Sequence, residues 1–111
     1  MDKTTVDLDK TIVYKIIYDM HKELEKQGIK DNQIALFGSF LSNNSHENSD
    51  IDMIIISNSF EGKNLFERID MTLKAEAELR KRYIVPMDIL MKTPKEYEYS
   101  KKNYFNAEII I

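Results

Sequence analysis

Apolar residues recur along the chain at two spacings, one typical of helices and one typical of strands. A first stripe at helical spacing runs from Leu8 to Leu24, and Gly28 is expected to end that helix. A second stripe predicts a helix from Leu65 to about Arg82. Its apolar positions are Leu65, Phe66, Ile69, Leu73 and Ala77.

Three shorter apolar runs predict strands. The first covers residues 34–37 and ends at Gly38, and the third covers residues 83–91. Between them, residues 50–57 are strongly β-branched and apolar on both faces beyond Asp52, which predicts a central strand covered on both sides. The polar segment 38–49 is expected to be a loop, with a short helix in its first residues.

Thr93 and Pro94 predict the start of a last helix, because threonine caps helices and proline suits the first helical position. That helix is expected to reach about Ala107. The predicted order is α-β-α-β-α-β-α, which indicates an α/β (α+β) fold with a small sheet flanked by helices. Residues 1–111 suit a single domain. Residues 108–111 end on three isoleucines, an apolar tail that should pair or pack unless the chain continues.

Composition removes several function classes. The formal net charge is −3, so no overall positive field would attract nucleic acid, and direct nucleic-acid binding is not expected. The absence of cysteine excludes disulfides and thiolate metal sites and fits a reducing compartment. No stretch resembles a signal peptide or is long enough to cross a bilayer, so we expect a cytoplasmic protein with no membrane association.

Two aspartates at the start of the central strand are the first candidate for chemistry. Asp50 and Asp52 are two residues apart, so a strand would place both carboxylates on one face, roughly 6.6 Å apart along its length. Carboxylates this close repel each other, and a divalent cation such as Mg²⁺ or Mn²⁺ would remove that conflict. The alternative is that both are ordinary turn residues at a strand entrance.

Two further features support a metal site at Asp50 and Asp52. Gly38 and Ser39 directly follow the first strand and could cradle a phosphate, although a capped strand-to-helix turn would look the same. Asp88 lies among apolar residues of the third strand and would join the pair if its strand lies beside theirs. The alternative for Asp88 is a solvent-facing acid on an edge strand.

The joint pattern resembles a known family. Three segments together resemble the signature of the DNA polymerase β-like nucleotidyltransferase superfamily. They are Phe37-Gly38-Ser39-Phe40, then, after a spacer ending at Ser49, Asp50-Ile51-Asp52-Met53, and later Val85-Pro86-Met87-Asp88-Ile89. The chain looks most like its minimal, single-domain members. This resemblance implies a mixed sheet flanked by helices.

The resemblance also implies an enzyme with a two-metal mechanism. Asp50, Asp52 and Asp88 would be both the catalytic and the metal-binding residues, with Mg²⁺ or Mn²⁺ as the metal. Gly38, Ser39 and Ser49 would contact the nucleotide, which would be ATP or another nucleoside triphosphate. The expected reaction transfers a nucleoside monophosphate, AMP in the first instance, to an acceptor hydroxyl.

The acceptor and the activity stay open. Many minimal members carry Arg-Gly where this chain has Ser42-Asn43, and serine cannot replace the charge of that arginine. Minimal members resemble the antitoxin half of toxin–antitoxin modules, so the acceptor would lie on a helical HEPN-type partner protein. The alternatives are a binding module that neutralises such a partner with little catalysis, and a transferase acting on a small molecule such as an aminoglycoside. A homo-oligomer is also compatible with the sequence.

Overall fold

The computed structural model describes residues 10–38, 50–103 and 106–111. Within those ranges the chain forms three α-helices, one 3₁₀ turn and four strands. No helix in this part of the chain is long and apolar enough to cross a membrane. In chain order the elements are α1 (Lys10–Lys26), β1 (Gln33–Phe37), β2 (Ile51–Ile56), the 3₁₀ turn (Asn58–Phe60), α2 (Leu65–Arg82), β3 (Met87–Lys92), α3 (Pro94–Asn103) and β4 (Ala107–Ile109).

The strands form one mixed sheet in the order β3-β2-β1-β4. β1 runs antiparallel to both β2 and β4, whereas β2 and β3 are parallel. β2 is an inner strand, and five of its six residues are buried. The predictions of a mixed sheet flanked by helices and of a central, doubly covered strand at this position are therefore confirmed.

Alternate residues of the strands supply two separate apolar clusters. One face of the sheet packs against α1 and α2, with Ile51, Met53 and Ile55 of β2 at its centre. The other face, which includes Ile54 and Ile56, packs against Tyr97 of α3. Because successive side chains of a strand point to opposite faces, both clusters depend on the same apolar run in β2.

The C-terminal part differs from the prediction. The last helix ends at Asn103 rather than near Ala107, and Ala107 begins β4 instead. The isoleucine tail pairs with β1, as expected of an apolar end: the Ile34 N–H donates to the carbonyl of Ile111 at 2.9 Å. A three-residue strand carries almost no periodicity of its own, so only its long-range pairing defines it. The short helix predicted after Gly38 lies outside the described residues.

The third strand and the second helix also need correction. Tyr83 caps the C-terminus of α2, and the strand begins only at Met87. The apolar stripe predicted for α2 is largely exposed, whereas the residues that α2 buries are Thr72, Ala75 and Leu79. The helix is therefore rotated by about 100° from the orientation that its apolar spacing indicates.

Arg68 accounts for this rotation. Its guanidinium donates to the carbonyl of Met91 at 3.1 Å and forms a two-pronged ion pair with Glu96, at 2.6 and 3.1 Å. Glu96 in turn accepts from the backbone N–H of Thr93 at the start of α3. Burying this side chain of α2 against β3 and α3 turns the neighbouring apolar stripe towards solvent. The pKa of Glu96 is lowered, chiefly by its bond to Arg68.

We expect Arg68→Met to lower the free energy of unfolding by about 2 kcal/mol, because it removes several bonds to a guanidinium whose side chain is only 12% exposed. Urea unfolding followed by circular dichroism would measure the change. Lys81→Met is the matched control, since the Lys81–Glu78 pair of the same helix is exposed and should contribute less than about 0.5 kcal/mol. Equal losses in the two variants would contradict the role given to Arg68.

Candidate functional site

One end of the sheet collects the predicted acidic residues. β2 and β3 are parallel, and their register pairs Asp52 with Asp88. Asp50 lies two residues before Asp52, immediately ahead of β2. β1 runs antiparallel to β2 and ends at Phe37, the register partner of Asp52. Three carboxylates and the residue that follows β1, Gly38, therefore share this end.

The strands hold the three acids with different exposure. Asp52 is half-buried and lies on the same face of β2 as the buried residues Ile54 and Ile56. Asp50 and Asp88 are exposed. The rigid apolar strand thus carries one carboxylate into the protein surface and leaves two open to solvent, where a ligand can approach them.

The electrostatics of this end centre on Asp52. Its pKa is raised above the usual range, first by burial and then by the negative charges of Asp88 and Asp50. Both causes penalise the ionised carboxylate. The negative charges of Asp88 and Asp50 therefore act against ionisation of Asp52, which is the conflict that the sequence pattern indicated for Asp50 and Asp52.

Gly38 is pressed against this carboxylate. Its φ of +78° is disfavoured for residues with a side chain, and a Cβ placed there would overlap Asp52 and lie 3.1 Å from its Cγ. The backbone of Gly38 thus approaches Asp52 as closely as only glycine permits. The sequence predicted either phosphate binding or an ordinary turn at Gly38. Its contact with Asp52 depends on the antiparallel pairing of β1 and β2, which no local signal reveals.

The predicted residues that the structure describes, Gly38, Asp50, Asp52 and Asp88, lie together. Ser39, Ser49 and the Ser42-Asn43 pair fall outside the described residues. Asp88 is exposed on an edge strand of the described sheet, as its alternative interpretation held, yet it also faces Asp52 across the register.

The donor set has the chemistry of a hard-cation site. Across residues 10–38, 50–103 and 106–111, no three histidine or acidic side chains are already gathered closely enough to hold a metal ion. The residues nevertheless fit one by type and place: three carboxylates share one sheet end, and carboxylate oxygens are the ligands that Mg²⁺ prefers. Their mutual repulsion would be relieved by a divalent cation.

A cavity of about 720 Å³ lies elsewhere, beyond the C-terminal end of β3. It contains none of the predicted site residues, and lysines and glutamates both line it, so it offers no single charge for a phosphate or a cation. Its lining residues are Glu61, Lys92, Thr93, Lys95, Glu96, Tyr99 and Ser100. We therefore place the candidate site at the acidic end of the sheet.

Replacing Gly38 by alanine should destabilise the fold by about 2–4 kcal/mol, from the unfavourable φ and from the overlap with Asp52. Gly62→Ala is a matched control, because Gly62 has a φ of +74° but no atom within 4 Å of its added Cβ, and only the cost of φ remains. In an Asp52→Ala background, most of the excess cost of Gly38→Ala over Gly62→Ala should disappear, because only the Cβ of residue 52, at 3.3 Å, remains close. Denaturant unfolding of the four variants measures these differences, and an unchanged cost in that background would contradict the contact.

Asp52→Asn should raise the melting temperature at pH 7 by up to a few degrees in metal-free buffer. The raised pKa means that the folded state disfavours the ionised carboxylate, so its presence costs stability as pH rises above the unfolded value of about 3.9. Below that pH, Asp52 is protonated in both states and the difference should vanish. Asp70→Asn, at an exposed position of α2, is the control. A lower melting temperature for Asp52→Asn at pH 7 would contradict the repulsion.

Comparison with known proteins agrees with this architecture. The chain resembles the crystal structure of a candidate nucleotidyltransferase from Sulfolobus solfataricus with a TM-score of 0.69 and 16% identity, over 89% of this chain and 79% of the other. A second candidate nucleotidyltransferase structure matches with a TM-score of 0.58 and 23% identity, over 86% of this chain and 97% of the other. At these identities the likeness shows a shared fold. No curated protein matches the chain at a significant level.

A family model carries the assignment further than the structural likeness does. The model describes a nucleotidyltransferase domain and matches residues 17–111, a range that spans all four strands and the whole acidic end of the sheet. The resemblance read from the Gly-Ser and Asp-x-Asp pattern is thereby confirmed. The chain belongs to the nucleotidyltransferase domain family.

Proposed function

We propose that this chain is a minimal nucleotidyltransferase that moves a nucleoside monophosphate, AMP from ATP in the first instance, onto an acceptor hydroxyl. Family membership supports nucleotidyl transfer as the general activity. The observation that carries the specific proposal is the register pairing of Asp52 with Asp88, with Asp50 two residues away and the glycine backbone against Asp52. This arrangement concentrates negative charge beside a backbone that a phosphate could approach.

In this proposal the chain's own residues have distinct tasks. Asp50 and Asp52 would hold one divalent cation, and Asp88 would hold a second. Bound Mg²⁺ or Mn²⁺ would supply charge neutralisation on the phosphates and lower the pKa of the acceptor hydroxyl. Gly38 and its sequence neighbour Ser39 bind the β- and γ-phosphates, and Ser49 contacts the nucleotide.

The overall transfer forms one bond and breaks another at the α-phosphorus. The acceptor oxygen bonds to the α-phosphorus. The bond between the α-phosphorus and the oxygen that bridges it to the β-phosphorus breaks, and pyrophosphate leaves. The carboxylate of Asp88 favours loss of the acceptor's proton, which passes to solvent. Since Asp50 and Asp88 are exposed, an acceptor on another molecule can reach this end of the sheet.

For the acceptor we propose a hydroxyl, such as that of a tyrosine, on a helical HEPN-type partner protein. A small molecule such as an aminoglycoside is the alternative acceptor. Transfer to a partner protein and transfer to a small molecule would serve different biological roles. Both reactions require the triphosphate to bind at the acidic end of the sheet, so nucleotide binding is tested first.

Isothermal titration calorimetry of ATP and Mg²⁺ into the protein tests the proposal. We expect binding to weaken by about a hundredfold or more in Asp50→Asn/Asp52→Asn, because charged ligands of the cation are removed. Asp70→Asn is the control and should bind like the unmodified chain. Because Asp52→Asn is not expected to destabilise the fold, lost binding would report the site itself. Equal binding by all three proteins would contradict the proposed site.

A second candidate function is a binding module with little catalysis. The observation that favours it is Ser42-Asn43 in place of the Arg-Gly of many minimal members, which removes a cation from the phosphate-binding region. Failure of the unmodified chain to bind ATP and Mg²⁺ while folded would favour this candidate. Neutralisation of a HEPN-type partner by a chain lacking all three aspartates would then establish it, whereas loss of neutralisation would count against it.

A further inference from the structure

α2 exposes a continuous apolar surface that the core does not use. Its four side chains, here called the apolar face of α2, are all exposed although all are large. The exposed fractions are 60% for Leu65, 81% for Phe66, 37% for Ile69 and 53% for Leu73. Exposed apolar residues that occur singly are ordinary, but four on one helix face form a patch that marks an interaction surface.

The neighbouring edge of the sheet does not compete for the same partner. β3 is an edge strand of the described sheet, and its outward carbonyls at Met87 and Met91 already accept bonds from Arg80 and Arg68. Side chains of α2 thus occupy the positions that an added strand would need. A partner at this side of the molecule would contact the helix rather than extend the sheet.

We propose that the apolar face of α2 pairs with the same face of a second copy of this chain, with the two helices antiparallel. Leu65, Ile69 and Leu73 are spaced four residues apart, so they form one ridge that is symmetric about Ile69. A two-fold axis at Ile69 sets the two Ile69 side chains against each other. It also sets Leu65 of each copy against Leu73 of the other, as a self-complementary interface requires.

The charges beside the ridge agree with this pairing. An axis at Ile69 brings Lys63, which directly precedes the N-cap residue Asn64 of α2, to the end of the interface where Glu76 of the other copy lies. Lys63 is exposed at the N-terminal end of α2, and Glu76 is half-buried beside the ridge. Burial raises the pKa of Glu76 against the lowering effects of Arg80 and of a hydrogen bond with Thr72, and a lysine from a second copy would favour the ionised form further. Antiparallel pairing therefore brings opposite charges together at both ends of the interface.

The apolar area is adequate for a dimer. Taking about 200 Å² for each large side chain, the exposed fractions amount to roughly 450 Å² per copy. Two copies would bury up to about 900 Å² from these side chains, and polar residues at the rim would bring the total to the ~1,000 Å² expected of a specific interface. A hydrophobic centre with a charged rim is also the usual anatomy of such interfaces.

Sedimentation equilibrium of the full chain tests the proposal over concentrations from about 1 µM to about 1 mM. We expect a monomer–dimer equilibrium, and Ile69→Glu should weaken the dimer by about a hundredfold or more because it sets two carboxylates face to face. Ile84→Glu is the matched control: Ile84 is 57% exposed but lies outside the apolar face, so the dimer should persist. Phe66→Ser gives a second variant at an 81% exposed position, where substitution usually changes stability little, and it should also weaken the dimer.

Reversing the charges of Lys63 and Glu76 distinguishes antiparallel pairing of two copies from other contacts made by the apolar face of α2. Glu76→Lys should weaken the dimer, and Lys63→Glu combined with Glu76→Lys should restore it, with circular dichroism confirming that each variant is folded. A chain that stays monomeric at every concentration would overturn the proposal. So would an Ile69→Glu variant that dimerises as strongly as the unmodified chain, or a double reversal that remains as weak as Glu76→Lys.

Discussion

Parallel pairing of β2 with β3 is the constraint on which the rest of the structure depends. Two parallel strands cannot be joined by a tight turn, so the chain must cross over the sheet between them, and the eighteen-residue α2 makes that crossover. The same pairing sets the register that places Asp52 beside Asp88. One interaction thus decides where the longest of the described helices lies and where the acidic residues meet.

The fold keeps three carboxylates at one end of the sheet although their charges disfavour ionisation of Asp52. Burial and two neighbouring carboxylates disfavour the charge of Asp52, and its side chain lies in the space that a Cβ at position 38 would fill. Buried isoleucines farther along β2 offset this cost by anchoring the strand in both apolar clusters. Functional sites commonly carry such local strain, which the surrounding core supports.

α2 shows how a polar contact can decide the use of an apolar surface. Helical spacing alone favours burying Leu65, Ile69 and Leu73, but Arg68 makes bonds to β3 and α3 that no apolar side chain could make. The helix therefore packs against the core through Thr72, Ala75 and Leu79. These three buried residues present less apolar surface than the exposed stripe does. In the proposed dimer the stripe that the core leaves exposed becomes the surface for a second copy.

The sequence by itself determined the kinds of element, the central place of β2, and the residues that meet at the acidic end. These were readable because helices and strands have different periods, and because Gly38, Asp50, Asp52 and Asp88 occur together in a pattern resembling one family. Tertiary structure alone decided the fourth strand, the rotation of α2 and the contact of Gly38 with Asp52. Each of these depends on groups far apart in the chain, such as Ile34 with Ile111 or Arg68 with Glu96. Local sequence patterns do not predict such pairings, because they reflect only neighbouring residues.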